Sequence, residues 1–382
     1  MTRSAPPRLL YLVTEDWYFC SHRLPVARAA RDDGAEIIVA TRVNAHGAAI
    51  RAEGFRLAPL RWRRGSHAPG AELAAIAEIA RLYARERPDL VHHVALKPVI
   101  YGSVAATLTG VPHTVNALTG LGALFIGSSA KTRALGVLSR LALRPLLNRA
   151  GGRVILQNED DRRLLEARGL LRHDRVSLIR GSGVDTRRFA PAPEPDGPPV
   201  AVLVARMLRD KGVGEFVAAA RLLKERGVPV RMQLAGPTDP DNPAALDEAS
   251  LRQWKAEGIV EWLGPVADMP ALWARSHMAV LPSYREGLPK ALLEAASCGR
   301  PMVAADVPGC REIVRHGETG LLAPVRDAKG LADAIAALAR DAELRRRLGA
   351  RARAVAEAEF AEEIVVRETL ALYRELLAGR LG

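Results

Sequence analysis

A chain of 382 residues exceeds what one hydrophobic core usually holds, so two domains are expected. With 48% hydrophobic and 26% charged residues the composition is that of an ordinary globular protein, and no run of about 18 apolar residues is present to form a membrane-spanning helix. Cys20, Cys298 and Cys310 are odd in number and lack metal-ligand spacing, and the N-terminus lacks an apolar signal core. Both features argue for a reducing, cytoplasmic setting without a disulfide framework.

The formal charge of +12 is uneven. Residues 1–190 carry 29 Lys/Arg against 16 Asp/Glu, the remainder carries 26 against 27, and no acidic residue lies between Asp89 and Glu159. A basic first half expects an anionic neighbour: a membrane face, a nucleic acid or an acidic acceptor. Residues 9–13 form a first apolar strand, followed by a loop through Glu15-Asp-Trp-Tyr-Phe19. A helix opening at Ser21-His-Arg-Leu-Pro25 runs to about residue 33, where Gly34 ends it. A second strand covers 37–41, a helix covers 71–86, and a third strand, 90–93, ends in two histidines. Strands alternating with helices predict an α/β chain with doubly wound parallel sheets and ligands at the carboxyl ends of the strands. Asp16, His22, Arg23 and Lys97 then share one rim. A histidine at a strand end suits positioning or proton transfer, a satisfied polar residue being the plainer reading. Alternation turns His92 and His93 to opposite faces, so one at most meets a ligand, and His93 is carried as the catalytic candidate.

Within 129–149, Leu135, Leu138, Leu141, Leu143, Leu146 and Leu147 alternate with Lys131, Arg133, Arg140, Arg144 and Arg149. A basic amphipathic helix of this kind suits a membrane interface, and a core helix with a solvated basic face is the alternative. A strand at 154–157, a helix opening at Asn158 and a strand at 176–179 follow. The Pro-rich stretch 190–199 marks the boundary between a domain at 1–189 and one at 199–361.

In the second domain a strand at 200–204 hands over to Arg206 and Lys211, a natural clamp for a diphosphate, before a helix to about 226. A strand at 230–235 ends at Gly236. Asp239-Pro-Asp241 has the form of a metal-holding pair, but its prolines favour a turn. A helix at 270–276 leads to the stretch Pro282-Ser-Tyr-Arg-Glu-Gly-Leu-Pro-Lys-Ala-Leu-Leu-Glu-Ala-Ala-Ser-Cys-Gly299, flanked by strands at 278–281 and 301–305. Pro289 suits a first helical position and Gly299 the residue past a helix end, so Glu286 and Gly287 stand at a helix mouth that favours phosphate. Glu294 lies among apolar neighbours and needs a partner, either Lys290 one turn away or a ligand. A turn and strand at 317–324 and helices at 328–340, 341–357 and 362–379 complete the chain.

Glu286 and Glu294, within Glu-Gly-Leu-Pro-x-x-x-x-Glu, resemble the paired glutamates of the retaining family-4 glycosyltransferases. Val91-His-His-Val-Ala-Leu-Lys-Pro-Val-Ile-Tyr-Gly102 and Thr119-Gly-Leu-Gly-Ala-Leu-Phe125, with Gly120 and Gly122 on the acceptor side, resemble a bacterial subgroup. Its members extend polyprenyl-diphosphate-linked sugars for surface polysaccharides and glycoproteins. The resemblance implies a GT-B fold of two facing Rossmann-like domains, with the helix at about 362–382 crossing back to the first. It implies that Arg206 and Lys211 neutralise a leaving nucleoside diphosphate. Gly287 and Leu288 approach that diphosphate by their backbone, Glu294 holds the ribose and Glu286 meets the donor sugar. The loop containing Val266 meets the nucleobase of a UDP-linked donor, Gly236 is among the donor-binding residues, and neither metal nor cofactor is required. The family's glycine-rich loop after the first strand is replaced here by Thr14-Glu-Asp-Trp-Tyr. The expected activity is retaining transfer of a hexose or N-acetylhexosamine to a lipid-linked glycan at the cytoplasmic membrane face, with no nucleic acid involved. A dinucleotide-binding oxidoreductase is disfavoured because no Gly-x-Gly-x-x-Gly follows the first strand. A nucleic-acid binder is disfavoured because no recognised module appears.

Overall fold

The computed structural model describes residues 5–62, 69–120, 143–240, 242–378 and 380–381. It divides into two compact units, Met1–Ser182 with Val365–Gly382, and Gly183–Ile364.

The first unit carries seven parallel strands: β1 (Arg8–Glu15), β2 (Glu36–Arg42), β3 (Arg56–Pro59), β4 (Leu90–Val94), β5 (His113–Leu118), β6 (Gly152–Leu156) and β7 (Val176–Leu178). Their order is β3-β2-β1-β4-β5-β6-β7, so the winding reverses between β1 and β4. Strands covered on both faces need apolar residues at every position, as in Leu9-Leu-Tyr-Leu-Val13, all 1% exposed or less. The expected loop at 15–19 is instead helical: α1 (Asp16–His22) is followed at once by α2 (Leu24–Asp32), whose first turn contains Pro25. The described residues of this unit also form α3 (Gly47–Ala52), α4 (Pro69–Glu86), α5 (Leu96–Thr109) and a helix at Glu159–Ala167. The C-terminal helix Glu362–Leu376 sends Val365, Tyr373 and Leu376 into the core that also holds Leu9, Tyr11 and Phe19.

The second unit repeats the plan with β8 (Val200–Val204), β9 (Arg231–Ala235), β10 (Glu261–Trp262), β11 (Met278–Leu281), β12 (Met302–Ala305) and β13 (Gly320–Ala323). Their order is β10-β9-β8-β11-β12-β13, all parallel, with the reversal between β8 and β11. The Pro-rich stretch is not a free linker. Arg300, 2% exposed, donates to Pro193 O; Arg345 pairs with Glu194 at 2.9 Å; and His277 Nε2 lies 3.0 Å from Pro195 O. Prolines lack N–H donors but keep their carbonyls, and those carbonyls tie the stretch to the second unit.

Candidate active site

In an open parallel sheet the loops leaving two strands on either side of a winding reversal diverge, and they leave a crevice at the strands' carboxyl ends. In the second unit those strands are β8 and β11, followed by loops 205–212 and 282–289. The loops interlock: Tyr284 N donates to Asp210 O at 2.9 Å, and Ser283 Oγ donates to the same carbonyl at 3.2 Å. Gly212 permits this approach, and Gly309 lets the loop after β12 close on the second of them. A Cβ on Gly212 would lie 2.1 Å from Pro282 O, and one on Gly309 would lie 2.3 Å from Gly287 O. The result brings together residues 75 apart in sequence: Lys211 Nζ donates to Glu286 Oε1 at 2.6 Å. Arg206 Nη1 is bonded to the Asp239 carboxylate, on the loop after β9.

Beside Arg206 an apolar pocket of about 200 Å³ is lined by Val204, Ala205, Gly236, Pro265, Val266 and Met269, among others. Gly236 is required there, because at φ +143° a Cβ would sit 1.9 Å from Ala205 O. Trp262 Nε1 donates to Gly236 O at 3.1 Å and braces the wall. A small apolar slot next to a guanidinium suits a flat heterocycle with an anion attached.

The helix Lys290–Ser297 begins after Pro289, which is its N-cap and not its first helical residue, and no side chain caps it. Leu288 packs, partly buried, on the apolar cluster beneath. Glu294 is 8% exposed, and burial pushes its carboxyl up, with the Lys290 charge opposing the shift. A carboxyl held this way gains from a ligand that donates hydroxyls to it.

In the first unit the expected rim residues separate into different roles. Asp16 is fully buried, and its carboxylate accepts from Trp17 N (2.7 Å), Asn44 N (2.7 Å) and His46 N (2.8 Å). It starts α1 and pins the loop after β2, so it presents no carboxylate to an acceptor. His22 stacks on Tyr18, ring centroids 4.0 Å apart, with Ser21 Oγ 2.6 Å from its Nδ1. Arg23 is 2% exposed and its charge faces Tyr11, His92 and Tyr373. Lys97 pairs with Glu72 at 3.2 Å, and Gly120 has φ +154° after β5.

His93 departs from the expected positioning or proton-transfer role. It is fully buried, with Nε2 3.0 Å from Tyr83 Oη and Nδ1 2.7 Å from Asn116 Oδ1. Burial lowers its pKa to about 4, so it is a neutral core group. His92 is buried as well and bonded to Tyr373 Oη. Gly122 and most of the basic segment 129–149 lie outside the described residues. At the segment's end, Leu143 and Leu147 are buried against Val99, Leu118 and Leu156. Asp241 lies outside the described residues, and Asp239 serves Arg206. No group of three metal-ligating side chains occurs among the described residues. Sequence reading missed Asp239's role, Gly212 and Gly309; the run Asp210-Lys-Gly212 at a strand exit was the available signal for one of them.

Two family models match the chain: "Glycosyl transferase 4-like" over residues 8–156 and "Glycosyl transferases group 1" over residues 198–341. The N,N'-diacetylbacillosaminyl-diphospho-undecaprenol alpha-1,3-N-acetylgalactosaminyltransferase of Campylobacter jejuni is 27% identical over 368 residues, 93% of this chain and 95% of that relative. HepE of Anabaena, solved in complex with UDP and glucose, superposes with a TM-score of 0.77 at 19% identity, covering 97% of this chain and all of that one, 100%. Sucrose-phosphate synthase of Thermosynechococcus elongatus superposes with a TM-score of 0.80 at 20% identity, covering 97% and 99%. At those identities the two structures speak to fold, and the fold is GT-B. With both halves matched in order and the fold shared, the chain belongs to the family-4 glycosyltransferases and is a hexosyltransferase.

Proposed function

We propose that the protein is a retaining transferase that moves a hexose or N-acetylhexosamine from a UDP-linked donor to a polyprenyl-diphosphate-linked saccharide. It would act at the cytoplasmic membrane face during surface-polysaccharide or glycoprotein synthesis. The observation that supports this best is the convergence of Arg206, Lys211 and Glu286 on two interlocked loops, beside the apolar pocket at Gly236 and Val266. The lipid-linked substrate in the name of the Campylobacter relative supports the acceptor class. The surplus of basic residues in 1–190 supports an anionic surface nearby.

The nucleobase enters the apolar pocket, Glu294 accepts from the ribose hydroxyls, and the diphosphate takes Arg206 and Lys211 from their carboxylates. As the bond from the anomeric carbon to phosphate oxygen breaks, charge grows on the departing diphosphate. Fixed cations stabilise that charge more than they stabilise the bound donor. The acceptor oxygen forms its bond on the same face and its proton passes to the departing phosphate. Glu286, released from Lys211, orients the sugar; a covalent glycosyl-enzyme through it is the less favoured route.

Thermal shift with UDP, NAD and duplex DNA tests this reading. At about 100 times its Kd, UDP should stabilise the fold by about 2.7 kcal/mol. Stabilisation by NAD or DNA in its place would overturn the reading.

A further inference from the structure

The bond from Lys211 to Glu286 ties the loop 282–289 to the segment that opens the helix Val213–Glu225, and it has a companion. Tyr284 Oη donates to Glu215 Oε1 at 2.7 Å, and Glu215 stands in the first turn of that helix. Lys211 and Glu215 lie four residues apart on one segment, Tyr284 and Glu286 two apart on the other. The two side-chain bonds are therefore rungs between the same pair of segments, with the bond from Tyr284 N to Asp210 O as a third.

The two side-chain rungs differ in chemistry. An anionic ligand competes with Glu286 for the Lys211 cation. It has far less pull on a neutral hydroxyl already bonded to a full carboxylate. Tyr284 is half-buried; burial, and then the neighbouring Glu215, push its phenol up, so the hydroxyl keeps its proton and donates. Glu215 makes no ion pair among the described residues, and its Oε2 is buried without a partner. Loss of the phenol hydroxyl would leave that carboxylate with no hydrogen bond from the protein. On the ring's face the Arg326 guanidinium stands 4.5 Å from the centroid. It comes from the loop after β13, where its backbone is left-handed at φ +61°. Tyr284 is thus held from the helix, from the loop after β13 and by its own backbone.

We infer that Tyr284 and Glu215 are positioning residues, whose bond keeps the loop of Glu286 in place once Lys211 has turned to a bound diphosphate. The ligand in this assignment rests on the transferase reading above; the tie between the two segments does not.

The test is hydrogen-exchange mass spectrometry on the full chain, read over residues 282–289, without UDP and with UDP at saturation. Local opening sets the exchange rate there, and each variant is compared with wild type in the same state. Tyr284→Phe removes one oxygen and keeps the ring. Glu215→Leu removes the same bond from the other side, and Glu215→Gln keeps an acceptor for the phenol. Without UDP, Tyr284→Phe and Glu215→Leu should exchange within about threefold of wild type, because the Lys211 rung remains. With UDP they should exchange at least about tenfold faster, the scale of one lost hydrogen bond to a charged group, while Glu215→Gln matches wild type. A bond that served stability alone would raise exchange equally in both states; that result, or no rise in either, overturns the assignment. Lys211→Met/Tyr284→Phe removes both rungs without any ligand and should exchange faster than the product of the two single effects. A rate no greater than that product shows independent rungs and also overturns it. Melting temperatures of the same samples report folding and UDP binding. If UDP shifts none of them, the donor reading fails and the double variant alone decides the tie.

Discussion

Gly212→Ala is the most direct test of how the candidate active site is built. Gly212 has φ +73° and separates Lys211 from the helix Val213–Glu225; a Cβ there would stand 2.1 Å from Pro282 O. The two loops must part by about 1 Å to restore ordinary contact. An alanine in the left-handed region costs about 1–2 kcal/mol and the overpacking about 1–3 kcal/mol more. The sum, about 2–5 kcal/mol, is a large share of a typical stability of about 5–15 kcal/mol. The same movement pulls Lys211 from its 2.6 Å contact with Glu286. A displacement of that size in a reacting assembly costs on the order of 100-fold in rate. Gly214→Ala is the control two residues on: it lies within the helix, and a Cβ would meet nothing within 4 Å. It should gain about 0.5–1 kcal/mol. Thermal unfolding, UDP titration and initial rates with a UDP-sugar give the three readouts. If Gly212→Ala matches wild type in stability and kcat/KM, the interlock of the loops is not what positions the cations.

Arg206→Ala should lower kcat by on the order of 100-fold with a smaller change in donor KM, since its charge acts most on the departing diphosphate; an unchanged kcat removes it from that role. Glu294→Gln should weaken UDP binding about tenfold by losing a charged acceptor, while raising stability at neutral pH. Burial raises the wild-type carboxyl, so the folded state binds the extra proton and wild-type stability falls as pH climbs above the ordinary carboxyl range. Melting temperatures of the two proteins should therefore converge in acid; a constant gap would contradict the burial argument. For His93, with its pKa lowered to about 4, the unfolded chain binds the extra proton below its ordinary pKa of 6.5. Stability should then fall as pH drops from about 6.5 to 4, by about 3 kcal/mol from this residue, and His93→Gln should flatten that stretch of a urea-denaturation series. Anionic vesicles should pellet the wild-type protein at low salt and release it at high salt; absence of binding at every salt concentration would retire the membrane surface.

The strands at 200–204 and 278–281 were readable to the residue because parallel strands covered on both faces leave unbroken apolar runs. Arg56-Leu-Ala-Pro59 was not readable: it is a four-residue edge strand with both end residues exposed and a proline at its end, which no local pattern distinguishes from a loop. The helix α1 was misread for a different reason. Asp-Trp-Tyr-Phe-Cys-Ser-His has weak helical propensity, and the contacts that fix it are remote, Phe19 in the core and Asp16 bonded to Asn44 N, 28 residues away. His93 looked available at a strand end, but Tyr83 and Asn116 close over it from a helix and the next strand. Local sequence carries strand burial and turn chemistry well. It does not carry which element will cover a polar side chain.

The site charges could be named one by one from sequence, but their pairing could not, and the pairing governs how the site would load. Lys211 is held by Glu286 and Arg206 by Asp239, with side chains 11–31% exposed. The four charges cancel, which spares the folded chain two uncompensated cations in a partly buried crevice. Much of the attraction within each pair offsets the water its charges have lost, so the net worth of each pair is small. Under the proposed function an incoming diphosphate would displace them at small cost and bring more negative charge than either carboxylate. Loss of the Lys211 contact would also free Glu286 at the moment a sugar arrives beside it. Under the proposed mechanism the carboxylate that pairs with Lys211 becomes the one that orients the donor, so Glu286→Gln should raise affinity for UDP alone while lowering turnover of the UDP-sugar. A variant that loses both together would show that Glu286 positions Lys211 and does not compete with the diphosphate for it.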